Sequence, residues 1–340
     1  MKLKMTMLAA AIALSGNAMA DNNDSSIEQT GYGNNADVSQ NFSYFGGSQT
    51  STINQEGSFN RASADQTGFR NQATQLQQGW GNNSQVYQRG AFNTATATQS
   101  GIDNTSSITQ LSRNSEAVVN QTGSSNDSSV SQARDDYAQV TQNGLGNAST
   151  ITQTGYDDVA IVSQDGSYHD STIQQGGHDN YASVQQSGTD QNSNVTQQDE
   201  RNAAFVTQSG YRNDSDIAQS GEDNTATVTQ SGSRNDSDIS QSGRDQVAVT
   251  TQSGYGNDAI VLQEGWGDNY SSIDQTGYND LADVHQSGWS NESVVSQSAA
   301  SGMGLFNMAR NTATIVQQGF NNASAVSQTG GGNVANVYQY

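Results

Sequence analysis

The sequence predicts an all-β fold. It is a β-solenoid of cross-β type, with strand–arc–strand coils of ~22 residues in about 14 stacked coils. Three observations predict it. A glutamine returns every eleven residues along nearly the whole chain. The positions of fixed identity lie two apart, which is strand spacing and not helix spacing. The composition leaves little for a thick core: apolar residues are 31% and charged residues 13%, with 35 Gly, no Pro and no Cys in 340 residues.

The first element is residues 1–20. Lys2 and Lys4 precede a short apolar run, Met5 to Leu14, and Ala18-Met19-Ala20 is an A-x-A cleavage site. This reads as a secretory signal peptide removed before Asp21. Asp21 to Asp24 form a short N-terminal segment, and residues 25–340 are repeat. The mature chain then holds 12 − 2 = 10 basic residues against 33 acids, a net charge of 10 − 33 = −23. That charge argues against nucleic acid as a partner. Without Cys there is no disulfide, thiolate nucleophile or Cys-held metal.

The repeat is anchored by Gln29, Gln40, Gln55, Gln66, Gln77, Gln88, Gln99, Gln110, Gln121 and Gln132. It continues at Gln142, Gln153, Gln164, Gln175, Gln186, Gln197, Gln208, Gln219, Gln230, Gln241, Gln252 and Gln263. Gln275, Gln286, Gln297, Gln317, Gln328 and Gln339 complete 28 anchors, and 23 of the 27 intervals are eleven residues. Two residues before the anchor, 24 of 28 units carry Val or Ile; four before it, all carry Ala or Ser. Two residues after it, 22 of 27 carry Gly. A Gly in nearly every unit, at ~1 kcal/mol each, opposes a continuous helix. Each unit is therefore expected to be a strand of about six residues and a Gly-containing turn. Asn, Ala/Ser, Val/Ile and Gln share one face.

One such strand is too thin to fold alone, so neighbours must bury the stripe together. At ~4.8 Å per strand, 14 coils make a stack of roughly 65–70 Å. Ala and Ser alternate in the small slot from Ala160 to Ser237, so the real period is two units. Four of the five anchors lacking the Gly end Ser-type strands. That predicts a tight arc after Ala-type strands and a looser one after Ser-type strands.

Inward amides are costly unless hydrogen-bonded, and identical amides one strand apart bond each other. The expected structural ladder includes Gln29, Gln40, Gln153, Gln164, Gln175, Gln186, Gln208, Gln219, Gln230, Gln241, Gln252, Gln328 and Gln339. Asn202, Asn213, Asn224 and Asn235 are its asparagine members. Ser25 and Ile27 at one end, and Ala335 and Val337 at the other, carry the same inward slots. They are the expected polymerisation ends.

The double unit Ser25-Ser26-Ile27-Glu28-Gln29-Thr30-Gly31-Tyr32-Gly33-Asn34-Asn35-Ala36-Asp37-Val38-Ser39-Gln40 resembles the curlin repeat of bacterial curli fibres. Asn333 to Tyr340 is similar to a curlin subunit's terminal strand. The resemblance runs from Ser25 to Tyr340. It implies a major-curlin-like subunit with an expanded repeat array, secreted and forming functional amyloid at the cell surface. It also implies export, unfolded, through an outer-membrane pore, and partners in a nucleator subunit and chaperones. Two departures stand out: only Asp21 to Asp24 precede the repeats in place of a longer Gly-rich segment, and the repeats far outnumber the familiar five. The alternatives are a monomeric repeat-solenoid adhesin and a minor or nucleating fibre subunit.

No catalytic, cofactor or metal site is expected. His169 and His178 read as solvated turn residues, and the pairs Asp135-Asp136 and Asp157-Asp158 as turn carboxylates. G-x-S-x-G, H-E-x-x-H and P-loop patterns are absent from the sequence. Thr94-Ala95-Thr96-Ala97-Thr98 and Thr225-Ala226-Thr227 are too isolated for an ice-binding array. Ten aromatics three residues after the anchor, Tyr32 and Trp80 among them, are expected to pack over neighbouring arcs rather than bind a surface or sugar.

Overall fold

The computed structural model describes residues 23–41, 47–298 and 310–340. The signal-peptide expectation falls on residues outside these. The chain divides into two compact units, Met1–Val140 and Thr141–Tyr340.

The first unit contains β1 (Asp24–Tyr32), β2 (Asn35–Asn41), β3 (Thr50–Ser58), β4 (Arg61–Phe69), β5 (Gln72–Trp80), β6 (Asn83–Ala91), β7 (Thr94–Ile102), β8 (Thr105–Gln110), β9 (Glu116–Ser124) and β10 (Asp127–Arg134). β11 (Tyr137–Leu145) carries the boundary. The second unit contains β12 (Ala148–Tyr156), β13 (Val159–Ser167), β14 (Asp170–Gln175), β15 (Tyr181–Thr189), β16 (Asn192–Gln197), β17 (Ala203–Tyr211), β18 (Asp214–Glu222), β19 (Thr225–Ser233) and β20 (Asp236–Arg244). It continues with β21 (Val247–Tyr255), β22 (Asp258–Trp266), β23 (Tyr270–Tyr278), β24 (Leu281–Trp289), β25 (Glu292–Ser298), β26 (Thr312–Phe320), β27 (Ala323–Thr329) and β28 (Val334–Gln339).

In each unit the odd strands form one parallel sheet and the even strands another. Among the described residues there are fourteen odd and fourteen even strands, one of each per coil, and no helix. The pairing keeps the repeat in register: Ala204 lies beside Ala226, Val206 beside Val228 and Gln208 beside Gln230. Each strand therefore buries the same face as its neighbours. Ile53, Val86, Ile108 and Val119 form the stripe in the first unit, and Ile173, Val195, Ile239 and Ile273 in the second. Full burial of each such side chain contributes about 1.5–3 kcal/mol.

Strands commonly run nine residues, not six, because the Gly lies within the ladder. Gly210 has φ +108° and continues the pairing between β17 and β19. The corner falls two residues later, at Arg212 (φ 55°). The expected difference between arcs is also corrected. β10, β12, β18 and β20 are Ser-type, yet two residues separate each from the next strand, as after the Ala-type β17. Longer connections after β8, β14 and β16 replace the Gly-plus-corner geometry locally.

Candidate functional site: amide ladders and open edges

The anchor glutamines form two ladders in each unit. In the odd sheet of the second unit Gln164 Nε2 donates to Gln186 Oε1 at 2.9 Å, Gln186 to Gln208 at 2.9 Å, Gln208 to Gln230 at 2.8 Å and Gln230 to Gln252 at 2.8 Å. In the even sheet Gln153 donates to Gln175 at 3.0 Å, Gln175 to Gln197 at 2.9 Å and Gln219 to Gln241 at 2.9 Å. Near the two ends of the described chain, Gln29 donates to Gln55 (2.6 Å), Gln40 to Gln66 (2.9 Å), Gln297 to Gln328 (2.7 Å) and Gln317 to Gln339 (2.8 Å).

The repeat spacing alone does not reveal where the second amide proton goes. It crosses the core to the facing sheet: Gln208 Nε2 also reaches the Asn192 carbonyl at 2.8 Å, and Gln219 Nε2 the Ala203 carbonyl at 3.1 Å. One side chain thus joins two coils along the axis and two sheets across it. Gln75, in a Val/Ile slot, makes another such crossing, donating to Ser84 Oγ at 3.1 Å. It pairs beside the small Ala97, which leaves room for it.

Asparagine ladders hold the corners. Asn202 and Asn224 lie along one edge, where Asn224 Nδ2 donates to Asn202 Oδ1 at 3.0 Å. Asn213 and Asn235 lie along the other, joined at 3.2 Å. The same amides close their own arcs: Asn224 Nδ2 reaches the Ser220 carbonyl at 3.0 Å.

Three turn residues are not solvated as expected. His169, Asp136 and Asp158 are buried, because each occupies the asparagine slot six residues before its anchor. His169 Nε2 lies 3.3 Å from the Asp165 carbonyl, taking the place of the arc-closing amide. Burial lowers its pKa. Burial raises the Asp158 pKa, against hydrogen bonds from Asn180. Asp158→Asn restores the donor found at Asn180, whose Nδ2 reaches the Gly176 carbonyl at 3.1 Å. It should stabilise the chain by about 1–2 kcal/mol at pH 7, measured by urea denaturation.

His178 is on the edge, as expected. Its ring nitrogens lie 2.9 Å from both Asp179 and Glu200. These hydrogen bonds raise its pKa. Arg201 extends the row to Glu222 and to Asp223 at 2.8 Å. The edge aromatics pack over adjacent arcs: Tyr32 on Phe59 at 5.5 Å, Phe59 on Trp80 at 5.9 Å, Tyr255 on Tyr278 at 6.3 Å.

Outward carboxylates stack on the even sheet, where Asp214 lies beside Asp236, Asp216 beside Asp238, and Asp236 beside Asp258. Partial burial, then the neighbouring carboxylates, push Asp236 up to about 6. Asp214, Asp238 and Asp258 are raised as well, chiefly by desolvation. A carboxylate whose pKa is raised on folding binds protons better in the folded state, so stability increases as pH falls through about 6 toward 4. His178 has the same sense, contributing below its raised pKa and losing that contribution above it. His169 opposes, because its folded pKa is lowered. Asp223 opposes too, because its hydrogen bond from Arg201 lowers its pKa. Five raised carboxylates, Asp158 among them, and His178 against His169 and Asp223 predict a higher urea midpoint at pH 5 than at pH 7. Asp236→Asn with Asp238→Asn should flatten that rise, and an unchanged slope would refute the carboxylate account.

The outer edges of β1, β2, β27 and β28 pair with no strand among the described residues. Ser25 is exposed and Ile27, Ala335 and Val337 are half-buried, whereas the same slots inside each unit are buried. The described chain has no His/Cys/Asp/Glu cluster able to hold a metal ion. No described helix is long and apolar enough to cross a membrane.

Residues 82–111, 200–232, 221–248 and 309–340 match the family model of the curlin associated repeat. No curated protein matches the chain. These four stretches of the chain are curlin associated repeats, and the same inward Gln, Asn and Val/Ile slots recur between them; repeats of this kind support a curli-like fibre subunit in general.

Proposed function

We propose that the chain is a secreted structural subunit of a functional amyloid fibre in the extracellular matrix of a biofilm, where it serves adhesion and aggregation of cells. Export through an outer-membrane pore, a nucleator subunit and chaperones belong to this reading through the family. So does the removal of residues 1–20. The major-subunit role is favoured over a nucleating one, because the whole array repeats one inward pattern.

The observation that carries the reading is the pair of open edges. In both units the Gln ladders run one way, each Nε2 donating to the following coil. Among the described residues no donor reaches Oε1 of Gln29 or Gln40, while Gln328 and Gln339 keep an Nε2 proton for a following coil. One copy's β27 and β28 thus offer donors where the next copy's β1 and β2 offer acceptors. Backbone edges and half-covered stripes match as well, and a non-closing contact of this kind makes a filament.

Electron microscopy of the purified mature protein in buffer tests this. Fibres are expected. Persistent monomers would favour a solenoidal adhesin. Outward residues turn their N–H groups to the following coil, as Thr312 does to the Asn333 carbonyl. Tyr338→Pro, which removes such an N–H from the last strand, should therefore leave a folded stack that elongates at least tenfold more slowly from wild-type seeds. Growth at the wild-type rate would oppose end-to-end addition.

A further inference from the structure

We propose that the outer face of the odd sheet in the unit Thr141–Tyr340 is a lateral pairing surface, and that its occupant is the same face of a second copy of this chain. The two outer faces of the same coils differ sharply in charge. On β15, β17, β19 and β21 the side chains directed away from the core include no Asp, Glu, Arg or Lys. Tyr181, Phe205, Val247 and Val249 form the apolar half, with Tyr181 and Phe205 rings 5.4 Å apart; Ser and Thr fill most of the rest, with Gln185, Ala203 and, at the strand ends, Tyr211 and Tyr255. The opposite face is acidic: β18, β20 and β22 direct Asp214, Asp216, Asp236, Asp238, Asp258 and Glu264 outward. Of these, Asp258 has Arg310 at 3.6 Å and Glu264 has the His285 ring at 3.9 Å; no ion pair to Asp214, Asp216, Asp236 or Asp238 forms among the described residues.

This asymmetry selects the occupant. A basic partner would settle on the acidic face. A second copy brings the same strongly negative charge, and two acidic faces brought together bury unpaired carboxylates. Only the uncharged face meets its own copy without that cost, and a self-complementary patch is what a two-fold contact requires.

The uncharged face alone, four strands at ~4.8 Å with outward rows ~23 Å long, gives roughly 440 Å² per copy, or roughly 880 Å² in all, the size of a weak contact that stacking of copies along a fibre repeats and so strengthens. The flanking β13, β23 and β25 add Asp165, Asp274 and Glu292, which lie outside the uncharged centre. Sheet faces so paired lie side by side, perpendicular to the growth axis. The inference therefore stands apart from end-to-end addition.

The test is mass per length of fibres by scanning transmission microscopy, with sedimentation of the soluble mature chain. Thr207→Asp with Thr229→Asp places acids at the centre of the uncharged face. Ala218→Asp with Ser240→Asp places them at the matching height on the acidic face. The first pair should halve the mass per length and abolish the weak self-association of the soluble chain, and the second should change neither. Mixing the first pair with a Thr207→Lys, Thr229→Lys variant should restore the doubled mass, which separates face pairing from misfolding. Equal behaviour of both faces, or no recovery on mixing, overturns the proposal. If no fibres form, the end-to-end reading fails while the sedimentation result still decides this one.

Discussion

Replacing Gln208, Gln219 and Gln230 together by alanine is expected to remove most of the stability of the coils they occupy and to slow fibre growth by at least tenfold. Each amide is buried and spends both Nε2 protons, one on the next glutamine and one on a carbonyl of the facing sheet. Truncation leaves a cavity and strands a buried carbonyl, together about 2–4 kcal/mol per site. Gln208 and Gln230 are adjacent rungs, so their losses will not add simply. Thr207→Ala and Thr229→Ala, one residue earlier and outward, should stay within about 0.5 kcal/mol. Urea midpoints and seeded growth rates read both sets. Equal losses would remove the ladder from the account.

A second large effect is expected at a glycine within the ladder. Gly210→Ala should cost about 2–4 kcal/mol, from a positive φ that disfavours a side chain and from a collision. A Cβ there would sit 2.1 Å from the Gly232 carbonyl oxygen of the next coil. Gly176 is the internal control: its φ is not positive, and its nearest neighbour would be Thr154 Oγ1 at 3.3 Å. Gly176→Ala should therefore cost less than about 1 kcal/mol. Urea denaturation of the two variants compares the sites, and similar midpoints would show that the glycine geometry matters little.

The coil was legible because its period is long and its slots are two apart. A buried face fixes register, and one-residue slips would expose Val206 and Gln208 together. The inward set and the two-unit period follow from that. What spacing could not supply was three-dimensional closure. The second proton of Gln208 bonds to Asn192 on the other sheet, a relation sixteen residues apart with no sequence signature. His169 and Asp158 were misread because chemistry outweighed position in the reading. Counting six back from Gln175 and Gln164 places both in the buried asparagine slot, and that signal was present. The arcs were misread because Gly was assigned to the turn, whereas stacking keeps Gly210 within the ladder.

The central claim is that β27 of one copy adds to β1 of the next with the repeat register unbroken. Aligning Gln328 with Gln29 sets Ala325 beside Ser26, both directed outward. Neighbouring strands bring these Cα atoms to about 4.8 Å, within the span a disulfide bridges. The sequence has no Cys to interfere. In a Ser26→Cys, Ala325→Cys variant, oxidised fibres should run as a covalent multimer ladder on a denaturing gel, and the ladder should vanish on reduction. A Ser26→Cys, Ser327→Cys variant, shifted by two residues, should remain monomeric on the same gel. Fibres that yield no multimers from the first variant, or equal multimers from both, would contradict the account.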